Sequence, residues 1–392
     1  MTTHLLVSYH TCPLEEPGEG LAGGMNIFLR GLLRGLGAAG WPTDVVTRAT
    51  GPTVEITTPF PGVRIFHVPC RWAASPTRES AYASLERFTR NCRLLLLGEG
   101  ILPGIVSAHY WMSGVAARRL SDAPIVLSYH TVEARKPRAG GDAEPPLAAV
   151  RREAESALAS DVSRVVFFTG HDMDRNVGIY PCLAGKSVVI PPGVDTRFRV
   201  PVPREVARSF LGLPPDGEIF LFAARGDPGK NLDTALEAFR AVRSRREGRQ
   251  TLVVAGMEAG AGPPEERVVR FGPVPHDSMA MLYSAADAVI CPSLYESFGL
   301  VPLEALSAAV PVIVPEGTYW GDKVRAEGGG LAYPPGDPEG LAGAMLSLLA
   351  DPSLRARLSV GGPRIADPFT WARCTGAWAE LLASVSTSGN RR

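Results

Sequence analysis

The sequence predicts an α/β protein built from two parallel-stranded halves, on the strength of three observations. Short apolar runs alternate with helical patterns along most of the 392 residues, the mark of repeated strand–helix units. Pro191-Pro192-Gly193 interrupts this alternation near the middle, and the stretch to Pro203 reads as a linker. The alternation then resumes as a second set. A chain of this length can bury two separate cores. The expected boundaries are 1–192 and 193–366, with a helix and tail over 367–392.

In the first half, strands are expected over 4–9, 43–47, 63–68, 104–108, 124–129, 164–168 and 187–190. The first helix is the clearest: Met25, Phe28, Leu29, Leu32, Leu33 and Leu36 repeat with helical spacing and form one apolar stripe. In the second half, strands are expected over 218–223, 251–255, 268–271, 287–291, 310–314 and 329–333, with a last helix from about Phe369-Thr370-Trp371. In two such halves a ligand is expected in a cleft at the carboxyl ends of the strands. The loops that follow strands are therefore the informative ones.

Composition narrows the class. Forty basic residues balance forty acidic ones, so no global field would gather nucleic acid or an anionic membrane. Cysteines 12, 70, 92, 182, 291 and 374 are scattered without CxxC spacing, which argues against a zinc site or a disulfide framework and fits a reducing cytoplasm. The start of the chain lacks a signal-peptide pattern, and the longest aliphatic run, residues 94–97, is too short for a membrane span. A cytoplasmic location is expected. Arg87, Arg90 and Arg93 beside that run read as a solvated helix face before they read as a membrane contact.

The loop after the first strand ends in Gly23-Gly24 at the start of the first helix. Two residues without side chains let backbone N–H groups approach an anion at a helix N-terminus. Residues 18–23 also spell GxGxxG. A nicotinamide site is nevertheless disfavoured, because the motif does not follow its strand directly and the second strand ends in Thr47-Arg48 rather than an acid. A plain glycine-rich turn remains the alternative. In the second half, the strand over 287–291 leads into Glu296-Ser297-Phe298-Gly299-Leu300-Val301-Pro302-Leu303-Glu304. Gly299 and Pro302 suit a helix opening near residue 298. The amides of Ser297 to Leu300 would then be free for a diphosphate. The two carboxylates, which cannot hold phosphate, suit the hydroxyls of a sugar and a ribose.

This stretch resembles the E-x7-E motif of retaining GT-B glycosyltransferases of family 4, and Arg225-Gly226-Asp227-Pro228-Gly229-Lys230 resembles their R-x4-K element. The resemblance covers nearly the whole chain. It implies the GT-B fold, two Rossmann-like domains facing a central cleft, with the C-terminal helix crossing back to the first domain. It also implies a UDP-sugar donor, no metal requirement and no other cofactor. Arg225 and Lys230 would neutralise the diphosphate, capped by Gly23 and Gly24. Glu296 would grip a donor-sugar hydroxyl and Glu304 the ribose. His130 matches the family histidine beside the anomeric carbon, His109 reads as more structural, and Phe271 would line the uracil. Transfer would retain configuration by front-face attack. A sugar-nucleotide epimerase of the same architecture is the rival from another class.

Ser8 to Leu14, Gly23 to Asn26 and His109 to Gly114 are similar to the mycothiol-pathway enzymes that move N-acetylglucosamine from UDP to inositol phosphate. They are similar as well to the enzymes that glycosylate 2-deoxystreptamine in aminoglycoside antibiotic biosynthesis. Both acceptors are cyclitols. The resemblance places Asn26, Arg78, Tyr110, Thr131 and one of Arg151 and Arg152 around the acceptor. The family's acceptor lysine becomes Arg78, and an Arg for Lys exchange alters donor geometry. Glu15, Glu16, Glu19 and Glu133 read either as solvated loop charges or as acceptor-facing carboxylates. In the second case they would repel an inositol phosphate and attract an aminocyclitol. The expectation leans to 2-deoxystreptamine, with inositol phosphate as the alternative and N-acetylglucosamine or glucose as the donor hexose. The expected partners are these small molecules alone, without nucleic acid or membrane; a homodimer is compatible with the sequence.

Overall fold

The computed structural model describes residues 3–18, 22–71, 77–136, 144–200, 202–257 and 265–389. Glu19, Gly20 and Leu21 of the glycine-rich loop lie outside them. The chain divides into two compact units, 1–15 with 19–193 and 371–392, and 16–18 with 194–370.

The first unit is built on β1 (His4–Ser8), β2 (Thr43–Ala49), β3 (Glu55–Phe60), β4 (Val63–Pro69), β5 (Ile105–His109), β6 (Ile125–Ser128), β7 (Arg164–Phe167) and β8 (Ser187–Val189). Their order across the sheet is β3-β4-β2-β1-β5-β6-β7-β8. Central β1 is parallel to both neighbours, with His4 opposite Thr43 and Ile105. Every residue of β1, β2 and β5 is buried, as expected where helices cover both faces of a parallel sheet. β3 was not expected from the sequence. It pairs antiparallel with β4 at the sheet edge, and Ile56 there is 51% exposed. An edge strand with little buried surface carries no apolar run to betray it.

The helix Gly24–Ala38 buries Phe28, Leu29, Leu32, Leu33 and Leu36 as the spacing predicts. Met25 is only partly buried. The C-terminal helix Trp371–Gly389 belongs to this same unit and packs on Gly24–Ala38. Glycines permit the approach: a Cβ built on Gly31 would overlap the Trp371 ring, and one on Gly35 would overlap Thr375. Gly31→Ala is therefore expected to destabilise this unit by about 1–3 kcal/mol through overpacking. Urea unfolding of the variant checks this, and an unchanged midpoint would show the two helices to be loosely docked.

The second unit holds β9 (Ile219–Ala223), β10 (Thr251–Ala255), β11 (Val268–Arg270), β12 (Ala288–Ile290), β13 (Val312–Pro315) and β14 (Gly330–Tyr333). Its sheet runs β11-β10-β9-β12-β13-β14, and every pairing is parallel. β9 and β12 are neighbours, with Phe220 opposite Ala288. The loops leaving their carboxyl ends therefore start side by side. All six cysteines are free thiols. Among the described residues no helix is long and apolar enough to cross a membrane. The run 94–97 lies in the amphipathic helix Arg78–Gly98, which buries Leu96 and exposes Leu94 and Leu97.

Candidate active site

In the second unit, two adjacent loops converge on one ion pair. The loop after β9 carries Arg225, exposed, and then a short 3-10 turn, Pro228–Lys230, whose start is capped by the Asp227 carboxylate accepting from Gly229 N at 2.9 Å. Asn231 takes a left-handed conformation (φ 60°) and turns the chain into the helix Leu232–Arg245. Its side-chain amide donates to Pro292 O at 3.4 Å, tying this loop to the one that follows β12. Lys230 Nζ then reaches Glu296 Oε1 at 2.5 Å, each side chain 31% exposed. Both groups remain open to a ligand from the solvent side.

The helix that follows, Leu300–Ser307, has Gly299 as its N-cap, with φ 87° and no side-chain cap. A Cβ at that position would be strained by the backbone conformation and would meet the Trp320 indole at 3.0 Å. Trp320 Nε1 donates to Phe298 O and Gly299 O, at 2.5 and 3.0 Å, fixing the bend from its carbonyl side. Glu304, on this helix, is 4% exposed. Its carboxylate accepts from His276 Nε2 at 2.8 Å and Tyr283 OH at 2.7 Å. Burial first, then the Glu304 charge, pushes the Tyr283 phenol well above its ordinary value, which keeps it a donor. A carboxylate so held still has lone pairs for further hydroxyls.

In the first unit, two backbone strains mark the loops after β5 and β6. Tyr110 has φ 77° and His130 φ 58°. Left-handed conformations in non-glycine residues cost energy and cluster at functional sites. His130 Nε2 lies 3.0 Å from His109 Nδ1, and its ring packs against Phe28 and Phe168 at 5.4 and 5.3 Å. Burial pushes His130 down to about 3 and, with the His130 charge as the second cause, His109 well below its usual range. Both rings are neutral at physiological pH. Beside them, Arg151 lies under the Tyr110 ring, 4.8 Å from its centroid, and stands between Glu155, with Nε to Oε1 2.6 Å, and Glu133, with Nη1 to Oε2 3.2 Å.

Two family descriptions match the chain: "Glycosyl transferase 4-like domain" over residues 23–193 and "Glycosyl transferases group 1" over 203–364. A protein named D-inositol 3-phosphate glycosyltransferase from Streptomyces avermitilis is 34% identical, over 99% of this chain and 88% of its own length. One of the same name from Saccharomonospora viridis is 33% identical, over 96% and 92%. The chain belongs to the GT-B glycosyltransferases of group 1. Solved structures agree on the fold. Sucrose-phosphate synthase from Thermosynechococcus elongatus matches with a TM-score of 0.85 at 26% identity, over 99% of this chain and 100% of that one. Anabaena HepE in complex with UDP and glucose matches at 0.73 and 16%, over 98% and 100%.

As a GT-B glycosyltransferase of the hexosyltransferase type, the protein sorts its expected site residues unevenly. Lys230 and Glu296 come together. Phe298 does not offer its side chain: it is 3% exposed and packs edge-on against Trp320 and Phe369. Ser297, Gly299 and Leu300 stand at the helix opening, and the helix starts at Leu300 rather than 298. Phe271 is half-buried, its amide donating to Val254 O at 2.8 Å. Gly23 and Gly24 do open the first helix, but Gly23 N donates to Asn26 Oδ1 at 2.8 Å.

Three expectations need correction. Asn26, placed around the acceptor by resemblance, is fully buried, and its amide nitrogen donates to Thr11 Oγ1 and Cys12 O, at 2.7 and 2.6 Å. It shapes the loop after β1. Arg152 turns away to pair with Glu144, so Arg151 is the inward arginine of the two. Glu15 is no free carboxylate, because Arg48 binds it bidentately at 2.6 and 2.8 Å. Of the two readings of Glu133, the solvated loop charge does not hold: it is 4% exposed and also bridged to Lys136 at 2.7 Å. Arg78 is exposed at the start of its helix; burial first, then the Arg151 charge and to a lesser extent that of Arg78, lowers Lys136. The sequence reading missed His276, Tyr283 and Glu155. Only Glu155 left a local trace, one helical turn from Arg151.

Proposed function

We propose that this glycosyltransferase moves a hexose, N-acetylglucosamine or glucose, from UDP to a hydroxyl of a cyclitol with retention of configuration. The observation that carries the reading is the Lys230–Glu296 contact at the joined ends of two neighbouring post-strand loops. It sets a cation for phosphate beside a carboxylate for sugar hydroxyls. Arg225, Lys230 and the amides of Ser297 to Leu300 would hold the diphosphate, and Glu304, oriented by His276 and Tyr283, would accept from the ribose. As the acceptor oxygen bonds to the anomeric carbon, the bond to the UDP oxygen breaks, and a phosphate oxygen takes the acceptor proton. Cations placed in advance stabilise the departing charge, often the largest catalytic contribution. His130, neutral beside His109, would donate or accept a hydrogen bond to the donor sugar and carry no charge.

For the acceptor, the names of the relatives support inositol phosphate. The comparisons offer no support for 2-deoxystreptamine, to which the sequence reading leans. Calorimetry with UDP, and transfer assays from UDP-N-acetylglucosamine and UDP-glucose to inositol 3-phosphate, inositol and 2-deoxystreptamine, test the reading. UDP is expected to bind, and sugar to move only when an acceptor is present. No affinity for any nucleoside diphosphate would remove the proposal. Isomerisation of the donor without acceptor would replace it with an epimerase.

A further inference from the structure

We propose that Glu133 is a built-in anion held by Arg151 and Lys136 in the first unit, and that the acceptor is therefore a cyclitol without a phosphate. The inference rests on the cyclitol reading above and deepens it. The cluster stands at the carboxyl ends of β5 and β6, beside His109, the last residue of β5, and His130 just past β6, with Arg151 and Glu155 supplied by the helix Ala148–Asp161. Carboxyl ends of parallel strands are where ligands sit in such sheets.

The decisive observation is how completely Arg151 is engaged. A guanidinium has five N–H donors. Nε faces Glu155 Oε1 at 2.6 Å, Nη1 faces Tyr110 OH at 3.0 Å and Glu133 Oε2 at 3.2 Å, and Nη2 donates to Thr131 O at 2.5 Å and Thr131 Oγ1 at 3.1 Å. Five contacts meet five donors. The same Glu133 oxygen holds Lys136 Nζ at 2.7 Å. Glu133 itself is pinned by its backbone N–H, which donates to Glu155 Oε2 at 3.0 Å. One Glu133 oxygen thus bridges two cations, Arg151 and Lys136, so a carboxylate of the chain already stands where these two charges would otherwise draw a phosphate.

A phosphorylated acceptor would have to expel Glu133 or be bound beside it. Expulsion strips a buried carboxylate of two cations, and co-binding sets two anions against each other. An unphosphorylated ring meets neither penalty, and an amine on the ring gains from the nearby carboxylate. Selectivity by a repulsive element of this kind is a common device.

The test compares binding by calorimetry, in the presence of UDP, of D-inositol 3-phosphate, unphosphorylated inositol and 2-deoxystreptamine, with inorganic phosphate as a probe. The native protein and Glu133→Gln are measured side by side, and their thermal midpoints confirm folding. The native protein is expected to bind the phosphorylated ring no better than the unphosphorylated ones. Glu133→Gln is expected to raise the preference for inositol 3-phosphate and for inorganic phosphate by about 10- to 100-fold. Native protein that binds inositol 3-phosphate tenfold more tightly than inositol would overturn the inference, and this comparison needs no variant. So would a Glu133→Gln variant with an unchanged preference. UDP affinity, read in the same experiments, reports separately on the glycosyltransferase reading.

Discussion

Lys230→Ala is expected to lower kcat/KM for sugar transfer by about 100- to 1000-fold while leaving the thermal midpoint nearly unchanged. Lys230 is a partly exposed residue on a loop, so its removal opens no core cavity. What it removes is a positive charge where the leaving diphosphate gains negative charge. It also releases Glu296, its 2.5 Å partner, next to that same diphosphate. The two losses act in the same direction. Lys230→Arg is expected to recover activity only in part, since a planar fork does not reproduce a compact ammonium. Steady-state kinetics with the preferred acceptor, alongside UDP calorimetry, reads the effect. Turnover within tenfold of the native enzyme would sever Lys230 from the chemistry and leave its ion pair a structural one.

The largest stability effect is expected at Asp287→Ala, at about 3–5 kcal/mol. Asp287 is 4% exposed and precedes β12. It accepts from Arg204 at 2.7 Å, from Arg208 at 2.9 Å and from the Ile219 amide at 2.9 Å, with Arg355 at 3.4 Å. Arg208 is itself 2% exposed and donates also to the carbonyls of Ala285, Pro215 and Gly217. Without Asp287 its charge stays buried with no carboxylate among these partners. Since the contact joins the start of β9 to the start of β12, the two strands whose far ends carry the Lys230 and Glu296 loops, UDP affinity should fall with the folded fraction. Urea unfolding of the isolated variant measures the loss. A cost below about 1 kcal/mol would mean that water or neighbouring groups take over the arginine.

Much of the architecture was legible along the chain. Strand–helix alternation is a local signal of period and length, and it located every parallel strand of both sheets to within a few residues. The helix opening after β12 was legible for a related reason, since Gly299 and Pro302 state its shape, whereas Arg225, Lys230, Glu296 and Glu304 were singled out by the family resemblance. The edge strand β3 escaped because it buries too little to need an apolar pattern.

Side-chain partnership was another matter. Glu133 reads in the sequence either as a solvated loop charge or as an acceptor-facing carboxylate. Its meeting with Arg151 arises only when the helix Ala148–Asp161 packs against the short turn Glu133–Arg135 that follows β6. Arg151 and Arg152 are neighbours in the chain, yet a rotation of about 100° per residue turns one inward and the other out to Glu144. Asn26, placed around the acceptor by resemblance, is likewise taken up by Thr11 and Cys12 once the loop after β1 folds back onto it. Periodicity encodes which face of an element is buried. Which charges meet behind that face depends on distances between segments far apart in the chain, and these exist only once the packing does.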